Sequence, residues 1–376
     1  MTSTANRLPL VACALALTCT YAVAAEITAN KMAILNTEQG KVTVFEDGVS
    51  IVDSGTVIHA GKAEFYDAEN RAVIHGGVSI TTPGSQVSAD SAEYLLGAKK
   101  TYLYGNVTVR QEGLTITGQF MTMDNAAEQV LVETEVHVVD EVRGVEASGS
   151  AGSFNLASED GTIYGSPRLV LRRSSQMTVT GDEMQLHRGA QYAQTIGNVK
   201  AVTTDAVLTC DTLIYFLDQD SARATGAPML KQEENTVTGD LMSFRFDSGD
   251  LRRIDVAGKP KLTQKDGEIT GEQVAIQFAR GKLAEIEVIG DSMHQPELNQ
   301  EKNHGRGDRI AFRFENGEVQ EIMMTGKTRG DYLTDDKDRI EIEGRDSRVS
   351  FRSGKPVLME VASVTEGRLY RHEGEK

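Results

Sequence analysis

The side chains best suited to chemistry are few and scattered. Histidines stand at His59, His75, His137, His187, His294, His304 and His372. None forms an i,i+4 pair or an HExxH helix, the spacings that aim two imidazoles at one metal. His59 and His75 fall on segments that the pattern makes neighbouring strands, a placement that could hold a metal; solvated strand histidines are far commoner. GxSxG, Walker and GxGxxG loops are absent, and GRGDRI lacks the third glycine. DDKD at 335–338 reads as a polar turn, lacking the glycine and distal glutamate of a calcium loop. The RGD tripeptide at 306–308 occupies the slot of a repeat set out below, where chance explains it better than adhesion. No catalytic residue, metal ligand or cofactor site is expected, and the chain reads as a non-enzyme.

Bulk properties narrow the classes. A formal charge of −16 disfavours a nucleic-acid binder, which needs a basic face against phosphate. Hydrophobic content of 39% supports a real core. Residues 1–25 read as a secretory signal: Arg7, then the apolar run LPLVACALALTCTYAVAA with small-residue cleavage sites after Ala24 and Ala25. LVAC ending at Cys13 offers a lipoprotein alternative with a short apolar stretch before the cysteine. After cleavage only Cys210 remains, so no internal disulfide can form. Strand pairing and a core must then hold the exported chain together.

The elements that position these residues come from a repeat. VSADSAEY at Val87 recurs as ITANKMAI from Ile27, IHAGKAEF from Ile58, ITGQFMTM from Ile116, VTGDEMQL from Val179, LTCDTLIY from Leu208, VTGDLMSF from Val237 and ITGEQVAI from Ile269. Weaker copies begin at Val145, Gly305 and Ile342, and most steps are near 29 residues. A second half-motif carries a bend-forming glycine, as in YLYGNVTV around Gly105 and TIGNVKAV around Gly197. In four cases, Pro167, Pro228, Pro260 and Pro356, a proline follows two residues after the glycine. Each repeat is therefore two strands and a tight turn, with a β-bulge after the small residue that bends the first strand. The fold class is all-β, an elongated twisted stack of strand-turn-strand repeats in two facing sheets. With one strand per repeat in each sheet, eleven repeats would rise ~4.8 Å each to roughly 50 Å, with unpaired strand edges at both ends.

Alternation assigns the inward lining: Ile58, Ala60, Ala63 and Phe65; Val87, Ala89, Ala92 and Tyr94; Val179, Met184 and Leu186; Leu208, Leu213 and Tyr215; Val237, Met242 and Phe244. Small residues beside medium apolar ones leave space, which an apolar ligand would fill at ~0.8 kcal/mol per buried CH₂. Methionine suits varied apolar partners. The rival view is that these residues pack a dry sandwich.

ITANKM directly after the signal, with repeated AEY, YGNV and ITG, resembles the OstA-like family of periplasmic lipopolysaccharide-transport proteins, which takes in LptA, LptC and the N-terminal domain of LptD. The resemblance covers about residues 26–360. It implies a β-jellyroll whose two sheets form a V-shaped groove. It also implies lipopolysaccharide or a similar lipid as ligand, with acyl chains shielded in the groove and passed towards the outer membrane. Other Lpt-type jellyroll proteins at both strand edges, or a head-to-tail homo-oligomer, are the implied partners, in the periplasm. The basic pairs Lys99–Lys100, Arg172–Arg173 and Arg252–Arg253 could meet lipid phosphates, though such pairs are commonly solvated. The mature chain is about twice the family's usual length. A single long jellyroll and two fused ones both fit, with seams near 150–178 or after 290, and a polar tail from 361 to 376. The alternative function is a periplasmic or extracellular β-solenoid acting as a carbohydrate-active enzyme, adhesin or scaffold. Its coils are usually shorter and three-faced.

Overall fold

The computed structural model describes residues 26–371, apart from 54, 96, 125, 156, 173–176, 265–266, 291–296, 301–302, 334–337 and 353–354. The expected signal, His294, His372, Arg173 and most of the DDKD turn lie outside the described residues. The described chain is strand almost throughout, with antiparallel pairing between successive segments and one 3₁₀ turn at Asp67–Glu69. It divides into two compact units. One holds residues up to 172 with 180–193, the other 177–179 with residues from 194 onward.

In the N-terminal unit the strands are long and bent. Thr56–Tyr66, Arg71–Thr81, Gln86–Leu95, Lys100–Gln111 and Leu114–Asp124 pair in succession. Each ladder breaks register midway, between His59 and Lys62, His75 and Val78, Ser88 and Ser91, and Tyr104 and Val107. The bulge expected after the small residue is therefore present, and it turns every strand from one sheet into the other. Each strand thus contributes to both sheets. A two-strand repeat adds two strands to each sheet, so the rise per repeat is about 9.6 Å rather than the expected 4.8 Å.

Beyond Asp124 the bend becomes a break and most former strands are two short ones, though Tyr192–Val202 and Val207–Phe216 are again continuous. Gln129–Val132 continues one sheet through Ala151–Asn155, Asp160–Tyr164 and Glu183–His187. Val136–Asp140 continues the other through Val145–Gly149 and Arg168–Leu171. In the C-terminal unit, Val207–Phe216 pairs by its two halves with Ser221–Thr225 and Met229–Gln232. From there two separate ladders run to Lys355–Val361 and Glu366–Tyr370. The segment expected as a polar tail from 361 therefore carries a paired strand, because Leu369 lies opposite Ile340 and continues the ladder.

The corners explain the Gly-x-Pro spacing. Gly226 and Gly258 adopt φ of 77° and 75°, and Ala227 and Lys259 after them are also left-handed. A Cβ at either glycine would run into Asp211 or Asp240. Those aspartates follow the small residue of the preceding copy, and their backbone N–H groups donate to Gly226 and Gly258 at 3.1 and 3.0 Å. Proline then starts the next strand without a ladder donor to lose. Pro356 departs from this: it sits opposite Phe351 at a bulge within the last hairpin, not at a corner. Asp308 of the RGD tripeptide is a corner residue too, accepting from the Lys327 N–H at 3.3 Å.

Candidate functional site: the apolar lining between the sheets

Cross-strand partners share a face, so the register strings the inward residues into rows. In the N-terminal unit one row runs Ala63–Ile74–Ala92–Leu103–Met121–Val132–Gly152–Ile163–Met184. Its facing sheet carries Ile58–Ile80–Val87–Val109–Ile116–Val138–Ala147–Leu169. In the C-terminal unit the rows are Leu213–Ala224–Met242–Val256–Val274–Val288–Ile310–Met324 and Leu208–Leu230–Val237–Leu262–Ile269–Leu298–Gly305–Gly330–Ile342.

Every residue assigned inward by alternation falls in this lining. Ile58, Ala60, Ala63, Val87, Ala89, Ala92, Tyr94, Val179, Met184, Leu208, Leu213, Tyr215, Met242 and Phe244 are buried, none above 9% exposed. Phe65, Leu186 and Val237 are half-buried. Cys210 belongs to the same face, and burial pushes its thiol up to about 11. The first copy differs. Met32 and Ile34 on the edge strand Lys31–Thr37 are 59% and 53% exposed.

The two units cover this lining unequally. In the N-terminal unit Ile58, Ile80, Val87, Ile116 and Leu169 are at most 4% exposed. In the C-terminal unit the matching Leu230, Val237, Ile269, Leu298 and Ile342 are all half-exposed. The opposite rim there carries a second half-exposed series, Phe246, Phe278, Phe314 and Phe351, each beside a register shift. A bulge adds a residue and swings the side chain toward the mouth between the sheets. Phe246 lies 5.9 Å from the Tyr215 ring. Alternation past these late bulges cannot be read without the register, so the sequence reading missed the phenylalanine series. The recurring F-x-x-G, followed two residues on by Leu or Val in three of the four copies, was the available signal.

The chemistry-bearing residues are dispersed. His59 lies opposite Ser79 and His75 opposite Lys62, so the neighbouring strands do not bring the two imidazoles together. No group of three His, Cys, Asp or Glu among the described residues could hold a metal ion. Lys100 pairs with Asp124, Arg172 with Glu146, Arg252 with Asp247 and Arg253 with Asp255, so these cations already face carboxylates.

The sequence profile described as "LptA/(LptD N-terminal domain) LPS transport protein" matches residues 24–130 and 86–250, together more than half of the chain. The chain belongs to this family. Among curated proteins none matches it. Among solved structures it is similar to LptH of Pseudomonas aeruginosa, described as the LptA homologous periplasmic component of the conserved lipopolysaccharide transport device. That match has 17% identity, covers 27% of this chain and 76% of that one, and has a TM-score of 0.25. The expected all-β jellyroll of this LptA/LptD-type chain is what the fold displays.

Proposed function

We propose that the chain is a periplasmic conduit in which lipopolysaccharide acyl tails lie between the two sheets and pass towards the outer membrane. The half-exposed residues of one inward row of the C-terminal unit, between buried Leu208 and Leu262, support this reading most directly. Leu230, Val237, Ile269 and Leu298 on one sheet, with the phenylalanine series on the other rim, leave apolar surface wet that a dry sandwich would cover. Each CH₂ an acyl tail buries there contributes ~0.8 kcal/mol. The conduit does no covalent chemistry; directional force comes from elsewhere. Exposed Met32, Ile34 and Leu35 on the first edge strand suit addition of a strand from another jellyroll protein or a second copy. The two compact units fit two fused jellyrolls with a seam between 172 and 194.

Photo-crosslinking tests the conduit. p-Benzoylphenylalanine at Ile269 or Phe278 should capture lipopolysaccharide, whereas the same group at outward-facing Glu268 should not. Equal capture at both faces, or none at either, would overturn the proposal.

A further inference from the structure

Asp140 stands between apolar residues in its cross-strand row. It pairs with Leu114 and Val145, and Val145 with Leu171, so the register turns its carboxylate inward at the rim of one sheet. It is 6% exposed. A carboxylate at such a position is destabilising unless its charge is met. One partner is local: Arg143, in the following turn, donates to Oδ2 at 2.9 Å, and its backbone N–H donates to Oδ1 at 3.1 Å.

The other partner comes from the opposite sheet. Arg188 follows Glu183–His187, two positions beyond inward-facing Leu186, and its backbone is fixed by N–H donation to the Glu159 carbonyl at 3.1 Å. His187 supports the same rim through Asp160 at 2.9 Å and a stack on Tyr192 at 4.3 Å. From there the Arg188 side chain, 16% exposed, spans the mouth. Its Nε lies 3.5 Å from Asp140 Oδ2, and its Nη2 donates to the carbonyl of Glu112, in a turn of the far rim, at 3.3 Å. The buried Nε makes no hydrogen bond, so charge holds it to Asp140 rather than a well-aligned donor.

We propose that Arg188 and Asp140 form a clasp that holds shut the mouth of the groove in the N-terminal unit. Lipid is thereby kept from entering this unit from the side. This use of the clasp rests on the conduit reading; the closure itself does not. Side entry requires Arg188 to leave Asp140 and the Glu112 carbonyl, while Asp140 keeps Arg143 as its counter-ion. The clasp is therefore releasable without stranding the carboxylate.

Spin labels test the closure without any lipid. Labels go at exposed Glu141 and Ala190, one on each rim, in a full chain carrying Cys13→Ala, Cys19→Ala and Cys210→Ala. Pulsed dipolar spectroscopy should give one narrow distance. Arg188→Ala and Asp140→Asn should broaden and lengthen it by about one strand spacing, ~5 Å. Arg188→Gln, which keeps most of the stem, should do the same if the alanine variant folds poorly by circular dichroism. Arg143→Ala, which removes only the same-rim contact, should leave it narrow. An unchanged distribution in the folded Arg188 and Asp140 variants, or equal widening by Arg143→Ala, would overturn the clasp. Crosslinking of lipopolysaccharide from p-benzoylphenylalanine at Leu186 separates the two ideas. Its absence in every variant while the distances shift would sink the conduit and leave the clasp standing.

Discussion

The two units are made from the same repeat, yet they close differently. In the N-terminal unit single strands bend through both sheets as far as Asp124, the inward rows are dry but for half-exposed Val109, and a charged pair bridges the rims. In the C-terminal unit the strands after Val207–Phe216 are cut at the corners and the sheets are separate ladders. The inward residues on one of them stay half-wet. A continuous strand transmits its pleat through the bulge, which fixes the angle between its halves. A broken strand fixes that angle only through the corner contacts, so each sheet can follow its own twist. Chain continuity alone does not decide the seal, because the broken strands between 129 and 171 line an interior as dry as that under the continuous ones.

The strongest way to break this comparison is to charge the lining in both units. Leu103→Asp places a carboxylate at a site with no exposure and should cost more than about 4 kcal/mol by urea unfolding, enough to prevent folding. Ile269→Asp, at a half-exposed site, should cost less than about 2 kcal/mol. Equal losses would mean that the two interiors are alike.

The corners come next. Gly226→Ala drives a methyl into Asp211 at a left-handed residue and should destabilise by about 2–3 kcal/mol. Gly281→Ala, also left-handed but in a turn with nothing within 4 Å of the new methyl, should cost nearer 1 kcal/mol. If the two match, the aspartate corner does not set the bend.

Cys210 probes a sealed patch within the C-terminal unit. Burial holds its thiol up at about 11 from the ordinary 9.0, so iodoacetamide should react far more slowly with the folded chain at pH 8 than with the chain in urea. Because the folded value is raised, the stability this group contributes is complete below pH 9. It is lost as the pH rises from 9 to about 11. Alkylation at equal rates in both states would show that the patch is open.

The smallest effect belongs to the outer faces. Lys62, paired with Glu46 at 3.3 Å and Glu64 at 2.8 Å in solvent, can be changed to methionine with no measurable shift in the unfolding midpoint.

Much of this was legible in the residues. The template places small and apolar residues at its first, third, sixth and eighth positions, and Val87, Ala89, Ala92 and Tyr94 are all inward and buried. The weak copy at Val145 has a physical cause. Its corner runs two residues longer, so Phe154 rather than Gly152 takes the last inward place opposite Val130. The rise per repeat was misjudged because the sequence marks the bulge but not that one strand serves two sheets. Asp140 was passed over although VHVVD alternates up to it. Nothing in the chain nearby announces a cation 48 residues away.

Local physics was enough to settle the strands, their bulges, the faces they present and the glycine-aspartate corners. Pleat, left-handed φ and ladder donors act within a few residues of chain, and the sequence writes them directly. The three-dimensional arrangement alone decided which inward rows are covered, where phenylalanines reach the mouth, and that Arg188 meets Asp140. Burial and ion pairing depend on what the opposite sheet brings, and that sheet comes from distant parts of the chain.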